Sequence, residues 1–429
     1  MKKITNNLIN ESYYYDVLPN GLKVFYYPRC DFKRSFVMLT VKYGSLNQEF
    51  KILGTDEIIK TPAGVAHFLE HKMFEMPGGI DATNLFAELG ADVNAYTSYE
   101  NTSYYFSTVV NFYESLELLL DFVQTPYFKE ESVNSEKGII EQEIISSLDR
   151  PASVGYHGIL RNLFSESKII EDIGGTVESI NQIDAEILQK CYDVFYHPEN
   201  MMLIVAGNFD LDQTRLLIET NQKHKFFNNF LKPETIYYIE NNLANKKEDF
   251  TIMDVHTSTV YFGLKVDLSS YSYTEISKIA VLIDFLLDET IGYGSKNYQM
   301  WIREKIIDYS FEYSFSLGDK YGYILVNLES MDEELFLRII KDAFLNIPNV
   351  VYDKTRFLYY IRNYKSYEIR KFNSVETIAH SINDKELDGI SLFDKLSILE
   401  NIKFDELMDV FKFFTEVAMS SYIVKKQDK

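Results

Sequence analysis

The chain has 429 residues, of which 46% are hydrophobic, and its formal net charge is −21. This length predicts two or three domains that each bury a core, and the composition is that of a globular protein. The acidic balance argues against a nucleic-acid-binding function, because a phosphate backbone would be repelled. Solubility alone accounts for the charge, although an acidic surface would also attract a basic peptide.

The cysteines and the N-terminal residues bear on the compartment. Cys30 and Cys191 are the only cysteines, too few for a disulfide framework, and we expect both to be buried free thiols. No apolar segment of a signal peptide follows Met1, and no apolar run approaches the ~18 residues of a membrane span. The sequence therefore predicts a cytoplasmic protein without a membrane span.

The first half of the chain alternates between strand-like and helical patterns. Residues 13–18 and 22–28 flank Asn20-Gly21, a dipeptide typical of a hairpin turn. The apolar spacing then predicts a strand at 35–43, a polar loop at 44–61, a helix around the motif described below, a helix at 81–89 ending at Gly90, strands at 92–98 and 103–109, helices at 111–124, 129–149, 153–165 and 184–195, a central strand at 201–206 and a helix at 212–223.

The second half repeats this broad order after a polar linker. The predicted elements are paired strands within 250–266, a helix at 273–289, a hairpin of 306–317 with 321–328, helices at 333–344, 353–370 and 404–414, and a last strand at 419–424. The repeated order suggests an ancient duplication. We therefore predict a first domain at 1–230, a linker at 231–249 and a second domain at 250–429.

A short segment of the first half has the pattern of a metal site. His67 and His71 are four residues apart and Glu70 is three after His67, so in a helix all three share one face. Two imidazoles at this spacing can hold one zinc ion with a position open for water, whose proton the carboxylate can take. A solvated helix face is the alternative, because short motifs also arise by chance. Thr61-Pro62 before the motif and an apolar stripe behind it favour the helix.

A third ligand is expected from the long helix predicted at 129–149. Glu136 and Glu143 are two turns apart and point the same way, whereas Glu141 is rotated off that face. Such a helix can offer one carboxylate to the metal and a second to orient a ligand. A surface helix with solvated acids has the same spacing, and glutamates are common on helix surfaces.

H-x-x-E-H followed about seventy residues later by E-x6-E resembles the pitrilysin/insulinase family of zinc metallopeptidases, which includes the mitochondrial processing peptidases. Further segments that resemble the family are Leu18-Pro19-Asn20-Gly21-Leu22, Gly90-Ala91-Asp92-Val93-Asn94-Ala95-Tyr96-Thr97, Thr102-Ser103-Tyr104-Tyr105, Tyr196-His197-Pro198-Glu199-Asn200-Met201 and Val205-Ala206-Gly207-Asn208. Gly174-Gly175-Thr176-Val177-Glu178-Ser179-Ile180 and the length resemble a bacterial, YmfH-like branch. The resemblance is specific over roughly residues 14–210.

The resemblance implies an α+β fold of two tandem, similar α/β sandwich halves, each an antiparallel-rich sheet flanked by helices, with the metal on the first half. His67, His71 and Glu143 would be the ligands of one Zn²⁺, and Glu70 the general base. Glu136 would be an acid that orients a ligand. The second half does not repeat H-x-x-E-H.

The implied activity is that of a zinc endopeptidase that hydrolyses short or extended peptides, as in peptide or leader processing. In the family the substrate adds to an edge strand, here around Val93 to Thr97, so Asn94 is a candidate substrate contact, or else a polar residue that satisfies nearby backbone. An Arg and a Tyr seven residues later assist in a half without the metal motif; here Arg303 and Tyr309 are six apart and could equally belong to a surface helix that runs into a strand.

The imperfect Arg/Tyr spacing bears on partners. Many short bacterial members work as two chains, so we expect this chain to be the catalytic subunit of a heterodimer with a homologous partner that lacks the zinc motif, or of a homodimer. The alternative is a non-catalytic structural or assembly subunit of the same fold. That alternative is opposed by the intact set of expected ligands and base.

Overall fold

The structure is a computed structural model that describes residues 1–238, 240–387 and 389–427. Ile239 in the predicted linker, Asp388 and the last two residues of the predicted second domain lie outside this description.

The long strands of the two large sheets mostly follow the β-branched and aromatic segments of the sequence. Among the described residues they are β1 (Lys2–Asn6), β2 (Glu11–Val17), β3 (Lys23–Pro28), β4 (Ser35–Val41), β5 (Glu49–Ile52), β6 (Ile59–Lys60), β7 (Glu75–Met76), β8 (Ile80–Asp81), β9 (Asp92–Thr97), β10 (Thr102–Thr108), β11 (Met201–Gly207), β12 (Pro233–Thr235), β13 (Glu248–Met253), β14 (Ser258–Lys265), β15 (Glu312–Leu317), β16 (Gly322–Ser330) and β17 (Met419–Lys426). The predicted first hairpin, β2 with β3, is confirmed.

Several helices begin or end at recognisable signals; α2, for example, has Asp81 as its N-cap and Gly90 in the left-handed region at its C-terminus. Among the described residues they are α1 (Val65–Met73), α2 (Ala82–Leu89), α3 (Phe112–Val123), α4 (Glu130–Leu148), α5 (Pro151–Leu163), α6 (Val177–Ile180), α7 (Ala185–Phe195), α8 (Leu211–Lys223), α9 (Tyr273–Ile291), α10 (Lys296–Arg303), α11 (Glu333–Asn346), α12 (Lys354–Arg370), α13 (Val375–Leu387), α14 (Asp394–Asn401) and α15 (Leu407–Val410).

The described residues form two compact units. The first contains residues 1–144, 171–236 and 369–392; the second contains 145–170, 237–368 and the chain from 393 onward. Each unit is built mainly from one half of the chain and contains both sheet and helices, which confirms the predicted α+β fold. The domain boundaries 1–230, 231–249 and 250–429 stay a prediction.

The first unit is organised on a mixed sheet with the strand order β1-β2-β3-β11-β4-β10-β9. Strand β11 is buried along its whole length and lies between β3, to which it is parallel, and β4, to which it is antiparallel. Alternate residues of β4 serve two faces: Val37 and Leu39 join the core that includes α1, while the Thr40 hydroxyl donates to Asn383 of α13 over 2.7 Å. Strand β9 is last in the strand order, so it is an edge strand, and it runs beside α1.

The second unit has the strand order β13-β17-β14-β16-β15. Helix α5 packs on β14 and β17, where Gly155 and Gly158 lie against the rings of Tyr261 and Tyr422. A Cβ atom at either glycine would overlap a ring, so this close approach requires glycine. Helix α9 supplies much of the apolar core of this unit.

Several expectations about secondary structure are wrong. Residues 44–61 are not simply a loop, because β5 and β6 form a small sheet with β12. The strands within 250–266 do not pair with each other, since β17 lies between β13 and β14. Residues 404–414 form short helical turns around α15 rather than one helix, and α13 and α14 were not predicted.

Two further expectations concern exposure. Cys191 is buried as expected, whereas Cys30 is exposed, because it lies in the turn after β3 rather than in the strand. None of the helices in the part of the chain that the structure describes is long and apolar enough to cross a membrane.

Candidate metal centre

Helix α1 presents its histidines on the side opposite to its apolar stripe. Phe68 and Leu69 are fully buried in the core of the first unit, while His67, Glu70 and His71 are only partly buried. The rings of the two histidines lie edge to face with their centroids 4.6 Å apart. The expectation that the motif is helical, with these three side chains on one side, is confirmed.

Helix α4 brings a carboxylate to the two histidines. Glu143 Oε2 lies 3.9 Å from His67 Nε2 and 3.7 Å from His71 Nε2. The three residues offer ligand atoms that all lie within 4.8 Å of one another. Zinc bonds of ~2.0–2.1 Å in tetrahedral geometry separate ligand atoms by about 3.4 Å. The three side chains therefore fit a zinc ion with little rearrangement, and a fourth position is left for water.

Glu136 lies two turns before Glu143 on the same face of α4. The Nδ1–H of His71 donates to its carboxylate over 3.0 Å, which leaves Nε2 of His71 directed at Glu143. A carboxylate on the far nitrogen of a metal-binding histidine fixes the ring and raises its basicity. Among the described residues, His67, His71 and Glu143 form a metal-competent group. Glu141 does not belong to it, as its helical phase predicts.

Burial and neighbouring charges set the protonation of the site. The pKa of His67 falls to about 4, mainly because the ring is buried and also because His71 is adjacent. Burial also lowers the pKa of His71, but the hydrogen bond to Glu136 and the charge of Glu143 outweigh it and the net shift is upward. A neutral imidazole at His67 is the form that binds a metal ion.

Glu70 is held by the edge strand. The Thr97 hydroxyl, at the end of β9, donates to Glu70 Oε2 over 2.5 Å. Burial raises the pKa of Glu70, and the hydrogen bond from Thr97 opposes this shift only in part. A buried carboxylate with a raised pKa is suited to accept and return a proton near neutral pH. No motif in the sequence assigns Thr97 a role in the site. The alternation that turns Val93 and Ala95 of β9 towards the core also turns Thr97 towards α1.

The segment at 174–180, which begins with two glycines, contacts the residues just before α1. A Cβ at Gly175, whose φ is +80°, would lie 2.6 Å from the carbonyl oxygen of Ala63, so the two segments touch through their backbones. The Ser179 hydroxyl donates to the same oxygen over 2.9 Å. The motif that resembled a bacterial branch therefore fixes where the metal helix begins.

A cavity of about 410 Å³ opens beside the candidate base. Its walls come from α1, the β7–β8 hairpin, α2, β9 and α4, and the lining residues are Glu70, His71, Phe74, Glu75, Gly79, Asp81, Thr83, Asn94, Ala95 and Glu136. Asn94 is exposed here, and its side-chain oxygen accepts a hydrogen bond from the backbone N–H of Ala95. Its predicted contact with a substrate stays a prediction.

Arg303 and Tyr309 belong to the second unit. Arg303 ends α10, Tyr309 lies in the segment between α10 and β15, and the Tyr309 side chain is 95% exposed. Near the Arg303 guanidinium lies the carboxylate of its neighbour Glu304, at 4.0 Å. Their predicted part in substrate binding stays a prediction.

Two family models match the sequence. The model described as insulinase, peptidase family M16, matches residues 31–176, and the model described as the peptidase M16 inactive domain matches residues 182–347. The first match contains every residue of the metal-competent group.

Individual relatives agree with these matches. The uncharacterized zinc protease YmfH of Bacillus subtilis is 32% identical over 99% of both chains. An uncharacterized zinc protease of Rickettsia felis is 28% identical over 60% of this chain and 61% of its own.

Solved structures share the architecture. A crystal structure described as an M16-like peptidase, from Alicyclobacillus acidocaldarius, superposes with a TM-score of 0.91 at 30% identity and covers 97% of this chain and 98% of its own. A protease from Helicobacter pylori superposes with a TM-score of 0.81 at 19% identity over 96% and 99%, a likeness of fold.

Proposed function

The chain belongs to the insulinase family of peptidases, family M16, in its YmfH-like branch, and from this premise we propose that it is a zinc-dependent endopeptidase. The relatives are named zinc proteases, which supports zinc as the cofactor. The observation that carries the proposal is the approach of Glu143 Oε2 to the Nε2 atoms of His67 and His71, with Glu70 on the same helix.

His67, His71 and Glu143 would hold the ion. Bound there, zinc supplies a water of lowered pKa and polarises the peptide carbonyl. Glu136 keeps the His71 ring in place through its hydrogen bond. The donor set of two imidazoles and one carboxylate is one that catalytic zinc sites use.

Glu70 would move the proton. Its carboxylate accepts the proton of the attacking water and then passes it to the leaving amine of the cleaved bond. The Thr97 hydroxyl holds Oε2, so the other oxygen remains available for this transfer. Because Thr97 ends β9, the same contact fixes the base relative to the edge strand.

A substrate in extended conformation fits the edge of the sheet. On its outer side β9 has no neighbouring strand in the described sheet, so its backbone N–H and C=O groups can pair with an added peptide strand. We propose that Asn94 contacts this peptide and that a substrate side chain next to the cleaved bond enters the cavity beside Glu70. Pairing through the main chain suits short or extended peptides of varied sequence, as in leader or peptide processing.

We also propose that the active enzyme contains two chains and works in the cytoplasm. Peptide hydrolysis builds negative charge on the carbonyl oxygen, and preorganised donors usually share its stabilisation with the metal. The irregular spacing of Arg303 and Tyr309 supports a homologous partner without the metal motif as the source of those donors. A homodimer, in which a second copy of this chain supplies them, is the alternative. This chain would then be the catalytic subunit. A purely structural subunit is the less favoured alternative, since the metal-competent group is complete.

Digestion of a diverse peptide library tests the proposal. We expect the purified protein to cleave peptides when zinc is present, to lose this activity with a chelator, and to regain it when zinc is added back. Cleavage sites are read by mass spectrometry, with the protein tested alone and together with a co-purified homologous partner. Cleavage that persists unchanged in the chelator would refute a zinc peptidase.

A further inference from the structure

A lysine is buried in the metal helix, directly after the second histidine. The side chain of Lys72 is only 1% exposed, although His71, the residue before it, belongs to the metal-competent group. Lysine is almost never fully buried without a partner, because the ammonium group loses its hydration. The steps described above give this lysine no role.

Two side chains satisfy the buried ammonium group. Lys72 Nζ forms an ion pair with Glu75 at the start of β7 and donates a hydrogen bond over 3.0 Å to the hydroxyl of Ser132 on α4. The Ser132 hydroxyl in turn donates to the carbonyl oxygen of Lys129, just before α4, over 3.1 Å. Lys72 therefore links the metal helix to two separate elements.

Ser132 lies on the face of α4 that carries the metal-site carboxylates. Glu136 follows it by four residues and Glu143 by eleven, spacings that return to one side of a helix. Helix α4 thus touches α1 at three successive levels: at Lys72, at His71, and at the pair of histidine Nε2 atoms. The Glu143 side chain is 51% exposed, so its placement depends on how α4 lies against α1.

We propose that Lys72 is a positioning residue for the metal site, which fixes α4 against α1 and so sets where Glu136 and Glu143 stand relative to the histidines. The inference rests on the zinc site proposed above. Lys72 acts through Ser132 and Glu75, and it does not itself touch the metal or the substrate. Its contact with Glu75 also anchors the hairpin that lines the cavity beside Glu70.

Replacement of Lys72 by methionine separates positioning from the other roles that a buried lysine can have. Removal of a positive charge near a cation site strengthens metal binding on electrostatic grounds alone. Lys72→Met removes one partner of a buried ion pair and leaves Glu75 unpaired, which lowers the stability of the fold, so stability has to be measured separately from zinc affinity. Only a positioning role predicts weaker zinc binding, because α4 loses the contact that holds its first turns.

The experiment measures zinc affinity by chelator competition in the full chain. We expect Lys72→Met to weaken zinc binding about tenfold, the lower end of the range for residues that orient a ligand. Ser132→Ala should weaken it about threefold, since only one of the two links is lost, and the double variant should equal Lys72→Met. Lys72→Met/Glu75→Gln keeps the net charge and should also bind zinc weakly.

The controls keep the outcomes distinct. Lys223→Met removes an exposed charge at the end of α8 and should bind zinc as the wild type does. The melting temperature of each metal-free variant reports on folding separately from the metal. The cobalt(II) absorption spectrum reports on ligand geometry and should change in the variants that contain Lys72→Met but not in Lys223→Met.

Zinc affinity in Lys72→Met that equals or exceeds the wild type would overturn the inference, and the proposed function would stand. A wild-type chain that binds no zinc would overturn both. Should Lys72→Met fail to fold, Ser132→Ala gives the decision: unchanged zinc affinity in that variant would refute positioning through α4.

Discussion

Glu136→Gln is expected to weaken zinc binding without abolishing it. The change keeps the shape of the side chain and removes the charge that faces His71 Nδ1 at 3.0 Å. A hydrogen bond to a charged group contributes about 1.5–3 kcal/mol. Because about a fifth of each of the two side chains is exposed, the lower part of that range applies. A loss of about 1.5–2 kcal/mol corresponds to roughly 10- to 30-fold weaker binding.

The zinc dissociation constant of Glu136→Gln is to be measured by chelator competition against the wild type. Glu141→Gln is the matched control, since it removes one negative charge from the same helix on a face that does not contribute to the metal-competent group. Equal losses in both variants would show that general charge, not the hydrogen bond to His71, governs affinity. A larger loss in Glu141→Gln would contradict the helix phase on which the site depends.

Three further predictions follow from the same geometry. Glu143→Gln should weaken zinc binding more than Glu136→Gln does, because a direct ligand is lost, and chelator competition measures both. In the metal-free protein the pKa of His67 is about 4 against 6.5 when unfolded, so its contribution to stability is complete above pH 6.5 and is lost as the pH falls towards 4. Measured by urea unfolding over that window, the free energy of unfolding of the wild type should therefore fall by about 3 kcal/mol more than that of His67→Gln does; an equal decrease in the two proteins would contradict this cause. Peptide cleavage by the lone chain should be weak, should rise with a homologous partner, and should not change in Arg303→Ala or Tyr309→Phe; full activity of the lone chain that either substitution abolishes would defeat the two-chain proposal.

Local patterns made the metal group predictable from the sequence. The spacing of His67, Glu70 and His71 defines one helix face, and two turns of a second helix relate Glu136 to Glu143. These are relations within single elements, and regular helices preserve them. The resemblance to a known family then predicted that Glu143 of the second helix lies beside the two histidines of the first. In the structure Glu143 does approach both histidines.

Other contacts between elements distant in the chain were not predictable. Lys72 reads as a polar position of an amphipathic helix, and only the packing of α4 shows that its ammonium group is buried against Ser132. Thr97 is one polar residue of a strand until α1 places Glu70 beside it.

The unit to which a helix belongs was also not predictable from the sequence. Helix α5 follows α4 directly in the chain yet packs on β14 and β17, because its glycines match the tyrosine rings there. Periodicity gives a helix its apolar side but does not name the sheet that side covers. The order of the elements along the chain therefore does not show that α5 belongs to the second unit and α13 to the first.

The most direct test of the proposed mechanism is a joint measurement of zinc content and peptide turnover in Glu70→Gln. Glu70 is proposed as the base and not as a ligand, so the variant should retain about one zinc ion per chain while its turnover falls by ~10²–10⁴-fold, the usual contribution of a general base. Metal analysis and mass-spectrometric cleavage assays on the same sample give both values. Loss of zinc from the variant, or cleavage at the wild-type rate with zinc retained, would contradict the proposed role of Glu70 and the mechanism built on it.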